Sequence, residues 1–343
     1  MRTGKELILA SKAFTKENRL RSWVETITTA SALLVLIVCL LMGLPIWVKA
    51  ILSVLTALFV VRLFIIYHDY QHHTILQHSV VAQWLMQLFG ILLLAPQTIW
   101  KRSHDHHHHH NSKLTLSGIG SYPTISTERF FSLTKAEQRL YLINRHPLTI
   151  IGGHLTLFIY WLNLKSFIQS PKRHLDSLVA LCIHALSGVL VWYFLGATTF
   201  LFAWFIPFFV AFSIGSYLFY CQHNFPKAQY SENHDWKYEN AAMESTSFLK
   251  MNAIGHWFTA NIGYHHVHHL NSRIPFYRLP EAMKNMPELQ NPLTTSWNVM
   301  EVIRCFRLKL WDVKNKKMVS MKQAKQNHVK LSMADKKAIY NVA

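Results

Sequence analysis

Four charge-poor stretches, each long enough to cross a bilayer, and the histidine clusters beside such stretches constrain this chain more than any other feature. Ile27 to Val48 is nearly free of charge. At 1.5 Å per residue it makes a helix of about 33 Å, against a hydrocarbon core of about 30 Å. Ala50 to Tyr67 follows a tight turn near Pro45 and Lys49 and ends at His68, so the two stretches form a hairpin. Its one charge, Arg62, is expected to snorkel to the interface on the His68 side. Leu175 to Gly196 and Thr198 to Tyr220 form a second pair joined by an uncharged turn. With 51% hydrophobic and only 15% charged residues, the chain is too apolar for an ordinary soluble protein.

The clusters read His68-Asp69-Tyr70-Gln71-His72-His73, His104-Asp105-His106-His107-His108 and His265-His266-Val267-His268-His269. Offsets of i, i+4 or i, i+3, i+4 place imidazoles on one helix face, and neutral imidazole is the commonest protein metal ligand. The run His106 to His110 is no purification tag, being embedded far from either end. If the three clusters serve one centre they lie on one side of the membrane, and an even number of crossings separates each pair. The apolar stretches 80–99 and 148–164, which flank the second cluster, are therefore expected at the interface instead of crossing. The connector 165–174 carries Lys165, Lys172 and Arg173, which places that side in the cytoplasm. The expected fold is an all-α integral membrane protein: four transmembrane helices in two hairpins, interfacial helices, and a cytoplasmic helical cap holding a two-metal site. Both termini are expected on the cytoplasmic side.

The formal net charge of +18 does not point to nucleic acid, because the basic residues gather at the N-terminus, around the clusters and in the C-terminal tail. Cys39, Cys182, Cys221 and Cys305 are scattered, which indicates neither a disulfide framework nor a thiolate metal site. Ser296 to Trp311 is expected to be an interfacial or a packing helix. The lysines from Lys314 to Lys337 read as a solvated tail able to touch anionic lipid or an acidic partner.

Eight histidines at ligand spacing exceed the needs of one zinc, and the Glu-x-x-His pairs of carboxylate-bridged di-iron bundles are absent from the sequence. An all-imidazole centre of two irons remains, since oxygen chemistry needs a redox metal. Such a centre fits oxidation of an unactivated C–H bond on a lipid chain.

The order His-x3-His-His, His-x2-His-His, His-x2-His-His, with hydrophobic hairpins between, resembles the membrane fatty acid desaturase family. Asn261 to Leu270, followed by Arg273-Ile274-Pro275 and Tyr277, resembles the third histidine box of the acyl-lipid branch. The resemblance implies a non-haem di-iron enzyme that removes two hydrogens from a fatty acyl chain with O2 and two external electrons. The metal ligands it implies are His68 and His72, then His104, His107 and His108, then His265, His268 and His269. A variant spacing in the family would select His73 in place of His72, although helical facing favours His72. A ninth ligand is commonly drawn from the segment after the last membrane helix, where His223 stands.

The resemblance divides the chain into a basic cytoplasmic N-terminus (1–26), a desaturase domain (27–290) and a basic cytoplasmic tail (291–343). It implies a multi-pass protein of a bacterial inner membrane, an acyl lipid or acyl thioester substrate, surrounding membrane lipid, and a separate electron donor such as ferredoxin or cytochrome b5. His106, His109, His110 and His266 lie off the ligand face. Asp69, Asp105 and Asn261 neighbour ligands and could orient their ring N–H groups. His154 and His184, inside apolar segments, are expected to hydrogen-bond between helices. Spacing alone leaves open a related di-iron hydroxylase, ketolase or alkane monooxygenase, and a membrane metal-binding or transport protein.

Overall fold

The structure, a computed structural model, describes residues 2–116, 118–232 and 234–329. Its frame is two helical hairpins. Arg19–Leu41 starts where the Asn18 side chain accepts the Arg21 N–H at 3.0 Å, satisfying one of the free donors of a helix start. It stops at Met42, and after Pro45 the chain returns as Ile46–Gln71. The first helix therefore begins eight residues before Ile27: polar Arg19 to Thr26 winds as its opening turns.

The second hairpin is written as one helical run, Leu175–Cys221, whose mean hydropathy reaches 2.1. Gly196 breaks it with φ 81° and ψ 166°, a conformation that glycine reaches without a Cβ clash. Residues on either side then face each other. The Trp204 indole donates to Ser187 Oγ at 2.9 Å, and His184 lies 4.9 Å from the Phe208 ring. The fold is thus mainly helical, with up to four candidate spans. Exposed Trp47 at one hairpin tip and Trp192, Tyr193 and Phe194 at the other suit a membrane–water boundary.

Between the hairpins the helices are shorter and bent. Val80–Leu92 has 13 residues, about 20 Å, too short for a bilayer. It meets Gln97–His110 at 87° across Leu94, which has φ 51°, and Pro96. Gly90 lets this helix approach the first hairpin closely, since a Cβ there would meet the Tyr67 hydroxyl at 2.7 Å. Tyr67 in turn donates to the Ala95 carbonyl at 2.7 Å and pins the bend. Pro147–Ile151 and His154–Leu164, the latter wound as a wide π-helix, pack beside it, and Asn163 donates to the Leu94 carbonyl at 2.8 Å. The buried His154 and His184 join by their Nε2 atoms at 2.8 Å, the interhelical bond expected of them.

Two expectations need correction. Arg62 does not snorkel. It is 2% exposed, ion-pairs with Glu25, donates to Thr29 Oγ1 at 3.1 Å and sits 4.0 Å over the Trp257 ring. A partnered guanidinium inside the bundle is less costly than an isolated one, and the first helix supplies the partners. Ser296 to Trp311 is not one helix either. Val299–Arg307 is helical, but Leu308–Asp312 pairs antiparallel with Lys317–Ser320, burying Leu310 and Trp311. A second short ribbon pairs Phe248–Lys250 in parallel with Thr294–Ser296, so the cap is helical with two small ribbons. Residues 321–329 are helical. Lys336, Lys337 and the C-terminus itself lie outside the described residues.

The N-terminal residues close over the cap. Arg2 pairs with Glu288 at 2.9 Å, Asn271 donates to Ser11 at 2.8 Å, and the Asn18 N–H donates to the Tyr277 hydroxyl at 2.9 Å. The start of the chain and the third histidine cluster therefore share one side of the bundle.

Candidate metal centre

The hairpins deliver the clusters to one place. His68 lies in the last turn of Ile46–Gln71, and His72 caps that helix with φ −78° and ψ 2°, keeping its ring on the inner face. His73 leaves at φ 58°, and its exposed ring bonds the half-buried Gln77 side chain at 2.8 Å. Of the two, His72 and not His73 lies among the other buried histidines. His104, His107 and His108 project from one face of Gln97–His110, and His265, His268 and His269 from His265–Leu270. His223 follows two residues after Ile206–Cys221 ends.

Two groups result: His68, His72, His104, His108 and His268, and His107, His223, His265 and His269. All nine are buried, and within each group the nitrogens lie within 4.8 Å of one another. Nε2 of His104 is 2.9 Å from that of His68 and 3.1 Å from that of His108, which is 3.1 Å from that of His268. Nε2 of His223 lies 3.0 Å from those of His107 and His265. Two nitrogens about 2.1 Å from a shared metal and at right angles to each other stand about 3.0 Å apart. The observed spacings match that edge.

Electrostatics point the same way. Burial holds His265, His268 and His269 well below the ordinary histidine value, and His223 is pushed down to about 4. The rings are therefore neutral and offer lone pairs. His72 Nε2 and His269 Nε2 are buried without a hydrogen-bond partner, which a metal in each group would remedy. The residues present fit two metal ions.

The surrounding contacts are uneven. His68 Nδ1 is 3.1 Å from Asp69 Oδ1, while Asp69 Oδ2 accepts the Phe276 N–H at 2.6 Å. His223 Nδ1 lies 3.3 Å from the Ser245 carbonyl. Asp105 instead bonds Lys101 at 2.7 Å, and the Asn261 amide donates to the Phe276 carbonyl. Only Asp69 of the three orients a ligand ring. Nδ1 of His107, His108, His265 and His268 has no partner among the described residues. His266 turns to the Leu289 carbonyl, His106 to that of Leu116, His109 to that of Asp105 and His110 to that of His106.

The fatty acid desaturase family model matches residues 44–298, most of the chain and every histidine of both groups. The chain belongs to the fatty acid desaturase family. It is 31% identical over 284 residues to a fatty acid desaturase of Bacillus subtilis, covering 82% of this chain and 79% of that one. It is 24% identical over 309 residues to an sn-1 oleoyl-lipid 12-desaturase of Anabaena variabilis, covering 84% of each.

For a desaturase the space beside the histidines matters as much as the ligands. A narrow apolar cavity of about 40 Å³ lies between Ile46–Gln71 and Ile206–Cys221. Its walls include Val61, Phe64, Phe158, Phe212 and Phe219, and His68, His104 and His265 line it at the metal end. Gly215 contributes no side chain to it, and Phe158 Cζ stands 3.9 Å from where a Cβ would be. Trp100 stacks on His104 at 4.5 Å and meets His68 edge-on at 5.6 Å, fixing two ligand rings beside the cavity. Sequence spacing found eight of these histidines and the family resemblance the ninth, His223, but neither disclosed Trp100 or these walls, whose apolar residues look like any span.

Proposed function

We propose that this membrane desaturase introduces a double bond into a fatty acyl chain at a pair of irons. His68, His72, His104, His108 and His268 would hold one iron, and His107, His223, His265 and His269 the other. The observation that carries the reading is nine buried imidazoles, divided five and four, facing the end of an apolar cavity. When bound, the irons supply the redox chemistry with O2 that an unactivated chain requires. The balance is two hydrogens from the chain, one O2, two external electrons and two protons, giving one double bond and two waters.

The protein's own groups handle the chain and the rings. The cavity's aliphatic and aromatic walls would meet the stretch of a saturated chain nearest the histidines and exclude water there. Asp69 fixes the His68 tautomer by accepting its Nδ1–H, which leaves the Nε2 lone pair facing inward. Trp100 keeps His104 and His68 from rotating. With no carboxylate in either group, neutral imidazoles leave the metal charge largely uncompensated.

The site would face the cytoplasm of a bacterial inner membrane, with the N-terminus on the same side. Exposed Lys172 and Arg173, in a connector on the clusters' side, support this orientation. Electrons would come from a separate donor such as ferredoxin or cytochrome b5, an acidic surface suiting a chain of net charge +18. Residues 27–290 would form the catalytic unit between two basic ends. Expression in a host of defined lipid composition, followed by mass spectrometry of its fatty acids, tests the reading. A new double bond at one position, lost in His268→Ala, is expected, and a hydroxylated product instead would overturn it.

A further inference from the structure

A second space opens beside the metal groups. It lies among Gln97–His110, the loop 118–123, the segment His154–Leu164 and the connector 165–174. Its inner wall, His104, Phe158 and Phe219, is also wall of the acyl cavity, so the two are neighbours. Its outer wall is of opposite character, with Arg102, Lys165 and His174 beside Ser166 and Ser170. Asp and Glu are absent from its lining among the described residues.

Arg102 is held here without an acid. Its Nη2 donates to His174 Nε2 at 3.0 Å. Arginine has only donors, so His174 is neutral with its Nε2 lone pair toward Arg102 and its proton on Nδ1. That Nδ1 lies 3.0 Å from Thr98 Oγ1, and the Thr98 hydroxyl donates to Asp176 Oδ1 at 2.7 Å. His174 is 1% exposed, which makes this relay a fixed support. Lys165 Nζ sits 3.6 Å over the Trp161 ring, another wall residue. Two cations, neither in an ion pair with any described residue, thus line a cleft that shares three wall residues with the cavity proposed for the acyl chain. A phosphate ester attached to the carrier end of that chain meets both demands, and guanidinium and ammonium are the usual phosphate ligands.

We propose that this cleft binds the phosphate ester of the acyl carrier, with Arg102 and Lys165 as anion ligands and His174 positioning Arg102. The proposal rests on the desaturase reading of the neighbouring cavity. Two carriers share the chemistry, a glycerophospholipid and an acyl thioester of coenzyme A.

The test uses the full chain, loaded with iron, in nonionic micelles containing phosphatidylglycerol, acyl-CoA or diacylglycerol with the same acyl chain. In the double variant R102Q/K165Q, the ratio of kcat/KM for one phosphate carrier over diacylglycerol falls about tenfold or more, the loss of a charge-assisted contact. The carrier showing the fall is the source. His174→Ala shows part of the same selective loss, mainly in KM, and adds nothing to Arg102→Gln in a double-mutant cycle. An unchanged ratio for both phosphate carriers, or an equal loss on all three, overturns the proposal. If the wild type forms no double bond on any carrier, the desaturase reading fails separately. Retention of phosphatidylglycerol or acyl-CoA over diacylglycerol, read by native mass spectrometry, then still decides the cleft. Selective retention abolished in R102Q/K165Q supports it, and equal retention overturns it.

Discussion

Removing the Asp69 carboxylate should loosen both the fold and the metal. Asp69 is 1% exposed and joins the first cluster to the chain after the third: one oxygen faces His68 Nδ1 at 3.1 Å, the other accepts the Phe276 N–H at 2.6 Å. Asp69→Ala leaves two buried donors without acceptors, at about 1–3 kcal/mol each, so the folded state should weaken by about 2 kcal/mol or more. The freed His68 ring can also rotate or change tautomer, and loss of such a support commonly lowers metal affinity about 10–100-fold. Asp69→Asn keeps an acceptor but not the charge, and should fall between wild type and alanine. Thermal unfolding in detergent reads the first effect; metal content after dialysis against graded chelator reads the second. Full metal retention in Asp69→Ala at chelator levels that begin to strip the wild type would refute the role given to Asp69.

Other consequences follow from the same geometry. His72→Ala and His265→Ala lie in different groups, so each should cut bound iron from two per chain toward one, and the double variant toward none; loss of both ions in either single variant would contradict two separable sites. Gly215→Phe should fill the cavity and abolish turnover of long chains while Gly215→Ala, whose Cβ meets only Phe158 at 3.9 Å, stays active; gas chromatography of the products checks this. In metal-free protein His223 and His266 titrate at about 4, against about 6.5 unfolded. Between those values the unfolded chain binds more protons, so stability is full above about pH 6.5 and declines as pH falls toward 4, by about 1.4 kcal/mol per group per pH unit. Chelator-treated protein should therefore unfold at markedly lower temperature at pH 5 than at pH 7.5, and equal temperatures would contradict the neutral, buried assignment.

Eight of the nine grouped histidines were legible because helical spacing is a local property, and His223 came from the family resemblance. His104, His107 and His108 share a face on any helix, and the condition that three clusters meet fixed which apolar stretches could not cross. Val80–Leu92 ends within about 20 Å and turns. What sequence did not disclose depends on partners distant in the chain. Arg62 looked like an interfacial charge until Glu25 and Trp257 were seen around it. Trp311 looked like one end of an amphipathic helix, but it is a strand residue packed on Tyr230 at 5.6 Å. Asp105 and Asn261 adjoin ligands as Asp69 does, yet only Asp69 meets a ligand ring. Adjacency along a helix does not say which way a carboxylate points. Arg102 stands two residues before His104 in plain sight, but its place in a cleft depends on His174, which lies 72 residues away.

The most direct test of the central claim weighs the product. Iron-loaded protein, given O2, a reducing system and a saturated acyl lipid, should yield an acyl chain lighter by two hydrogens, with no oxygen added and the double bond at one position. A chain heavier by one oxygen, or an unaltered chain despite two bound irons, would contradict it.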